Sequence, residues 1–215
     1  MSVKLISYSK GEKDESLQDI IAYTARVSNP SNQDNTETSE RLLRYLIREK
    51  HWSPFEMVSA CLEVTTTRDI ARQLLRHRSF SFQEFSQRYA DPTQDLNFVM
   101  RQARLQDTKN RQNSLDVNDP DLQLEWYKQQ AEVTNAAKKS YEWAIENGIA
   151  KEQARAVLPE GIMESRLYVN GTIRSWIHYI DLRSGHGTQK EHIELARECA
   201  KAIEHIFPMI KEFCH

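Results

Sequence analysis

Val58-Ser59-Ala60-Cys61-Leu62-Glu63-Val64-Thr65-Thr66-Thr67 runs directly into Arg68-Asp69-Ile70-Ala71-Arg72-Gln73-Leu74-Leu75, and then into Arg76-His77-Arg78. In the first part Val58, Ala60, Leu62 and Val64 alternate with Ser59, Cys61, Glu63 and Thr65, the two-residue period of a half-buried strand. The period then changes. Ile70, Ala71, Leu74 and Leu75 recur at helical spacing, and Thr67 stands where a side chain caps a helix start. A strand feeding a helix that ends in three basic residues predicts a sheet, a covering helix and a cationic cluster where the helix stops.

The rest of the chain extends that pattern. Val3–Tyr8 reads as a first strand, and helices are expected over about 16–28 and 39–50, with a polar loop at 29–38. Pro54 breaks the second helix, because the residue before a proline avoids helical geometry. Residues 102–122 are polar and read as an exposed insertion. A long helix is expected over 122–147, stopped by Gly148, then a short one over 151–157 ahead of Pro159. A strand at 166–170 leads to Thr172, which caps a helix to Arg183, and a last helix runs over 189–207 to Pro208. With no repeat and no linker, the expected fold class is α/β (α+β): a single domain, residues 1–215, with a modest central sheet covered by several helices.

Composition narrows the function. A hydrophobic content of 39% supports a core, and a net charge of −2 gives no global basic field, which argues against nucleic acid as the main partner. No run approaches the roughly 18 apolar residues of a membrane helix. The N-terminus is too short and polar for a signal peptide, so no membrane and a cytoplasmic setting are expected. The 3 cysteines have no paired spacing, and none has the histidine context of a nucleophile. The histidines show no metal-ligand spacing, so no metal is expected. Only 6 glycines are present, with no phosphate-cradling glycine loop; side chains must bind any nucleotide.

Residues 76–88, Arg-His-Arg-Ser-Phe-Ser-Phe-Gln-Glu-Phe-Ser-Gln-Arg, are the candidate for that binding. Helix-dipole compensation explains one or two cations; three exceed it. Arginine holds phosphate with a planar fork. Arg76, Glu84, Ser86 and Arg88 reach one site if a compact loop forms, anchored by Phe80, Phe82 and Phe85. On the helix ending at Arg183, Ile173, Trp176, Ile177 and Ile180 form the apolar stripe, while Arg174 and His178 share another face. Arg183 falls at the border of the stripe, where an unpaired charge is costly and demands a salt bridge or a ligand. Arg155 sits among small and apolar residues and alone reads as structural, and His51 carries little signal by itself. On these residues alone a phosphate-handling hydrolase with His77 as base, or a nucleic-acid module, remain alternatives.

The spacing Arg76-His77-Arg78, seven residues, Ser86 resembles the signature of the flavin-dependent thymidylate synthases. Four more stretches resemble that family in the same order: Ala25–Ser28, His51–Glu56, Gln153–Pro159, and Arg174-Ser175-Trp176 through Asp181-Leu182-Arg183. The resemblance implies conversion of dUMP to dTMP with methylenetetrahydrofolate as carbon donor, NADPH as reductant and FAD as hydride carrier. It implies a homotetramer with shared active sites and a fold of the thymidylate synthase-complementing type. Carried over by position, Gln73, Arg76, Glu84, Phe85, Ser86, Gln87, Arg88, Arg155 and Arg183 are the implied dUMP contacts. Ser28, Ser53, Arg76, His77, Arg78, Glu84, Thr172, Arg174 and His178 are the implied FAD contacts, and Arg183 is the implied catalytic residue beside the uracil ring. The chain departs from the family in four places, one being the polar segment 102–122, which has no firm counterpart there. Thr172 stands where an Asn is usual, with Asn170 nearby; Gly187 replaces a frequent His, with His186 adjacent; and Met57 replaces another.

Overall fold

Strand β2 (Ser59–Thr67) lies inside the sheet because of its alternation: Ala60, Leu62 and Val64 are buried, while Cys61, Glu63 and Thr65 are half-buried. The computed structural model describes residues 1–215. Before β2 come β1 (Ser2–Tyr8), α1 (Leu17–Ala25) and α2 (Ser39–Arg48). After it come α3 (Arg68–Leu74), β3 (Ser81–Glu84), α4 (Pro92–Asp95), β4 (Arg104–Gln106), β5 (Ser114–Asp116) and α5 (Pro120–Glu146). The chain closes with α6 (Lys151–Ala154), β6 (Glu164–Thr172), α7 (Ile173–Ser184) and α8 (Lys190–Glu204).

Four strands form one sheet in the order β1-β2-β6-β3, every pair antiparallel. This is the α+β form of the expected class. Register follows from the inward residues: Leu62 opposes Val169 and Val64 opposes Leu167, so the apolar faces of β2 and β6 coincide. In β1 the pairing jumps from Leu5↔Leu62 to Ser7↔Cys61, leaving Ile6 as the extra residue of a bulge, exposed at the sheet edge. A core of 30 buried residues joins the inward face of the sheet to α1, α3, α7 and α8. Trp176 is its largest fully buried side chain, with its ring 4.5 Å from that of Phe80.

Several expectations need correction. The helix expected over 16–28 ends at Ala25, and Arg26, buried, turns its guanidinium to the Asn35 carbonyl and the Thr38 hydroxyl, pinning the following loop. Thr67 occupies the cap position of α3 but does not cap it; its hydroxyl donates to Asp69 (2.6 Å) and accepts from Arg101 (2.6 Å). Residues 102–122 are no plain loop, since β4 and β5 form a hairpin there and α5 begins at Pro120, capped by the Asp119 carboxylate. Residues 81–84, expected within a compact loop, are an edge strand on β6. Strand β6 itself extends from Glu164 to Thr172 and passes straight into α7. Its Gly171 lies flat against the Phe80 ring, where a Cβ would sit 2.2 Å from a ring carbon, so only glycine fits beneath the turn that leads into β3.

Candidate functional site

Helix α3 loses its ladder at the basic triplet. The N–H groups of Arg76 and His77 donate to the carbonyls of Gln73 (3.3 Å) and Leu74 (3.0 Å), a tightened last turn. Arg76 and Arg78 thereby face solvent, while His77 turns inward to α7. There Arg183 Nε donates to His77 Nε2 at 3.0 Å, and the Tyr179 ring meets the imidazole edge-on at 5.0 Å. The geometry places the His77 proton on Nδ1 and spends the Nε2 lone pair. Burial first, and the Arg183 charge second, push the imidazole down to about 4. A histidine so held is a poor general base, which weakens the hydrolase reading. The partner demanded by half-buried Arg183 is therefore a neutral ring nitrogen, and its charge stays uncompensated.

His192 on α8 lies just behind, fully buried and pushed down to about 3 by burial, then by Arg183 and His77. Both folded-state values lie below the ordinary 6.5, so the unfolded chain binds more protons between about 6.5 and 3–4. The stability contributed is full above about 6.5 and is lost as pH falls. For buried His192 the slope approaches ~1.4 kcal/mol per pH unit; half-exposed His77 adds less, through solvent screening. Melting temperatures measured from pH 7.5 down to 5 fall, and the fall is shallower in His192→Phe. Equal slopes would contradict this.

A second group gathers at the end of β3. Glu84 accepts from Ser165 Oγ at 2.7 Å and faces Arg68 Nη1 at 3.5 Å. Arg155 opens the turn after α6 close enough for its charge to be felt at Arg68. Arg88 pairs with Glu152 at 3.3 Å, and its backbone N–H reaches Ser86 Oγ at 3.4 Å. Phe85 is half-buried, and Gln87 is buried with its amide nitrogen unpaired. A third group lies where residues 53–56 pack on α7. Arg174 pairs with Glu56 at 2.5 Å, the exposed His178 ring stands 4.6 Å from Trp52, and Ser53 is exposed beside them. Burial and then Arg174 push His178 below its ordinary value. Thr172 Oγ1 accepts the Ser175 N–H at 3.2 Å as the cap of α7, whereas Asn170 stands exposed on β6. Ser28 is exposed in the turn after α1 and makes no side-chain hydrogen bond to these groups.

The structure thus unites His77 and Arg183, with Gln73 joined to them through His192; it unites Glu84 with the Arg155 neighbourhood, and Ser53 with Arg174 and His178. It also adds residues that no sequence motif singles out: Arg68, Ser165, Tyr179 and His192. The signal for His192 was its place on the apolar stripe of α8 with Leu195, Ala196 and Cys199. Arg68, Arg88 and Arg174 have carboxylate partners, whereas Arg76, Arg78, Arg155 and Arg183 have none. Four uncompensated guanidiniums, three beside His77 and one in the Glu84 group, suit phosphate-bearing ligands. Burial pushes the thiols of Cys61 and Cys199 up, away from the nucleophilic thiolate.

Comparison with known proteins gives a consistent picture. The family model described as "Thymidylate synthase complementing protein" matches residues 4–209. The "Probable flavin-dependent thymidylate synthase" of Paramecium bursaria Chlorella virus 1 is 50% identical over 212 residues, covering 98% of this chain and 97% of the viral one. The flavin-dependent thymidylate synthase of Synechocystis sp. is 49% identical over 216 residues, with the same coverages of 98% and 97%. Among solved structures, the UMP/dUMP methylase PolB from Streptomyces cacaoi, bound with 5-Br dUMP, superposes with a TM-score of 0.82 at 26% identity, over 99% of this chain and 93% of that one.

Proposed function

The chain belongs to the thymidylate synthase complementing protein family, and from that premise we propose that it is a flavin-dependent thymidylate synthase. It methylates dUMP to dTMP, with methylenetetrahydrofolate as carbon donor and NADPH as reductant. The observation that carries the reading is the set of arginines without carboxylates: Arg76, Arg78 and Arg183 around a neutral His77, and Arg155 in the neighbouring Glu84 group.

The donor set fits a dinucleotide flavin. Arg78 and Arg174 offer cations for its phosphates, and Ser53, His77, His178 and Arg76 offer hydrogen bonds; Asn170 is freer than Thr172 for a further contact, since the Thr172 hydroxyl already serves the helix cap. Bound flavin supplies the hydride that completes the methyl group. Gln73, Arg76, Ser86, Gln87, Arg88 and Arg155 bind and orient dUMP, with Glu84, held by Ser165 and Arg68, at the sugar. The buried, unpaired amide nitrogen of Gln87 is a donor awaiting an acceptor. Arg183 is the catalytic residue. Placed beside the uracil ring, its cation favours loss of the N3 proton and raises electron density at the carbon that is methylated. His77 holds that guanidinium through a lone pair without neutralising it.

We also propose one catalytic domain over residues 1–215, assembled as a homotetramer with shared sites, in the cytoplasm. Helix α5 supports the assembly: Leu124, Trp126, Tyr127, Val133 and Trp143 stand exposed on several sides of it, large apolar side chains that neighbouring copies would cover. No helix is long and apolar enough to cross a membrane. The three free thiols suit a reducing compartment. The deciding experiment is reconstitution. Protein incubated with FAD and desalted retains a flavin absorbance band and forms dTMP from dUMP, methylenetetrahydrofolate and NADPH. Protein that stays colourless and forms no dTMP would refute the reading.

A further inference from the structure

His192 is fully buried, yet both its ring nitrogens are engaged. Nδ1 lies 3.1 Å from Gln73 Oε1, and Nε2 lies 3.2 Å from the Tyr179 hydroxyl. Gln73 Nε2 donates to Gln189 Oε1 at 2.8 Å, and Gln189 Nε2 donates to Glu191 Oε2 at 2.9 Å. Glu191 in turn is held by Arg101 at 3.0 Å and Arg104 at 2.6 Å, both from the segment around β4.

This chain has only one workable direction. A carboxylate accepts and does not donate, so Gln189 must turn its nitrogen to Glu191 and its oxygen to Gln73. Gln73 must then turn nitrogen to Gln189 and oxygen to His192. That oxygen needs a donor, so His192 carries its proton on Nδ1, and Nε2 accepts from Tyr179. Reversing any member sets two acceptors or two donors face to face in a largely buried place, which is costly. The low affinity of His192 for a second proton agrees with a neutral ring.

We propose that His192 is a positioning residue for the nucleotide: it locks the Gln73 amide with its oxygen inward, so that the remaining N–H of Gln73 is offered to an acceptor oxygen of dUMP. The inference rests on the reading of Gln73 as a dUMP contact. It gives α8, otherwise a core helix, a part in substrate selection. It also ties the β4–β5 segment to the site, because Arg101 and Arg104 fix the carboxylate that sets the direction.

Two isosteric variants separate position from bulk. The amide nitrogen of Asn overlays imidazole Nδ1, and that of Gln overlays Nε2. His192→Gln loses the donor to Gln73 and weakens dUMP binding, measured by calorimetry on the FAD-loaded enzyme, by about tenfold, the scale of one hydrogen bond. His192→Asn recovers most of that affinity. In both, kcat at saturating dUMP changes far less than KM. Nitrogen-15 spectra of the imidazole, assigned by the loss of signal in His192→Asn, show a neutral Nδ1–H ring at pH 7. Equal dUMP affinities in the two variants, or an Nε2–H ring, overturn the proposal while leaving the enzymatic reading intact. Wild-type enzyme that binds no dUMP overturns that reading, and the proposal with it.

Discussion

Replacing Arg183 by alanine lowers dTMP formation by about 100–1,000-fold, the usual loss when one preorganised electrostatic group is removed from a reacting centre. The melting temperature moves by only a few degrees, because the guanidinium touches His77 through one hydrogen bond and has no carboxylate to strand. Bound flavin is retained, since Arg76, Arg78 and Arg174 are untouched. Arg183→Lys restores little: lysine has a methylene where Nε stands and no planar fork, so it cannot hold His77 and still present donors beyond it. The checks are steady-state kinetics, flavin content and a thermal melt on the same preparation. A variant with near-wild-type turnover removes Arg183 from the chemistry; a variant that unfolds makes it structural.

The largest effect on stability is expected at Trp176. Its side chain is fully buried, its indole Nε1 donates to the Ala60 carbonyl at 3.0 Å, and its ring packs on Phe80. Trp176→Ala removes a whole aromatic from the junction of sheet and α7, at a cost of ~3–5 kcal/mol. For a chain of this size that lowers the melting temperature by roughly 10 °C. Trp176→Phe keeps most of the packing and loses the hydrogen bond, and it falls between wild type and alanine. Melts are compared at one protein concentration, because an assembling protein gains stability by mass action. A shift of only a degree or two in Trp176→Ala would show that the core reorganises around the loss.

Strands whose inward and outward residues alternate were legible, as were helices with clear stripes and stops. β2, α3, α5 and α7 sit within a few residues of where periodicity puts them. β3 was not legible. Four residues carry too little pattern, and Ser81–Glu84 becomes a strand only because β6 offers it an edge. The β4–β5 hairpin was hidden for the same reason: apart from the Leu105–Leu115 pair its strands are polar, and its anchors are Arg101 and Arg104 on Asp69 and Glu191, partners distant in the chain.

The site divides along the same line. The ordered motifs at 25–28, 51–56, 76–88, 153–159 and 174–183 gave the family, and the border position of Arg183 on its helix marked a charge in need of a partner. The partner itself could not be read there. That it is a neutral imidazole from a turn 106 positions away, and that this imidazole is kept neutral by burial against α7, follows only from packing. The chemistry-bearing side chains and the elements carrying them are local properties of the chain. Their protonation, tautomer and orientation are set by what each one faces, and that was decided when the sheet, α7 and α8 closed on one another.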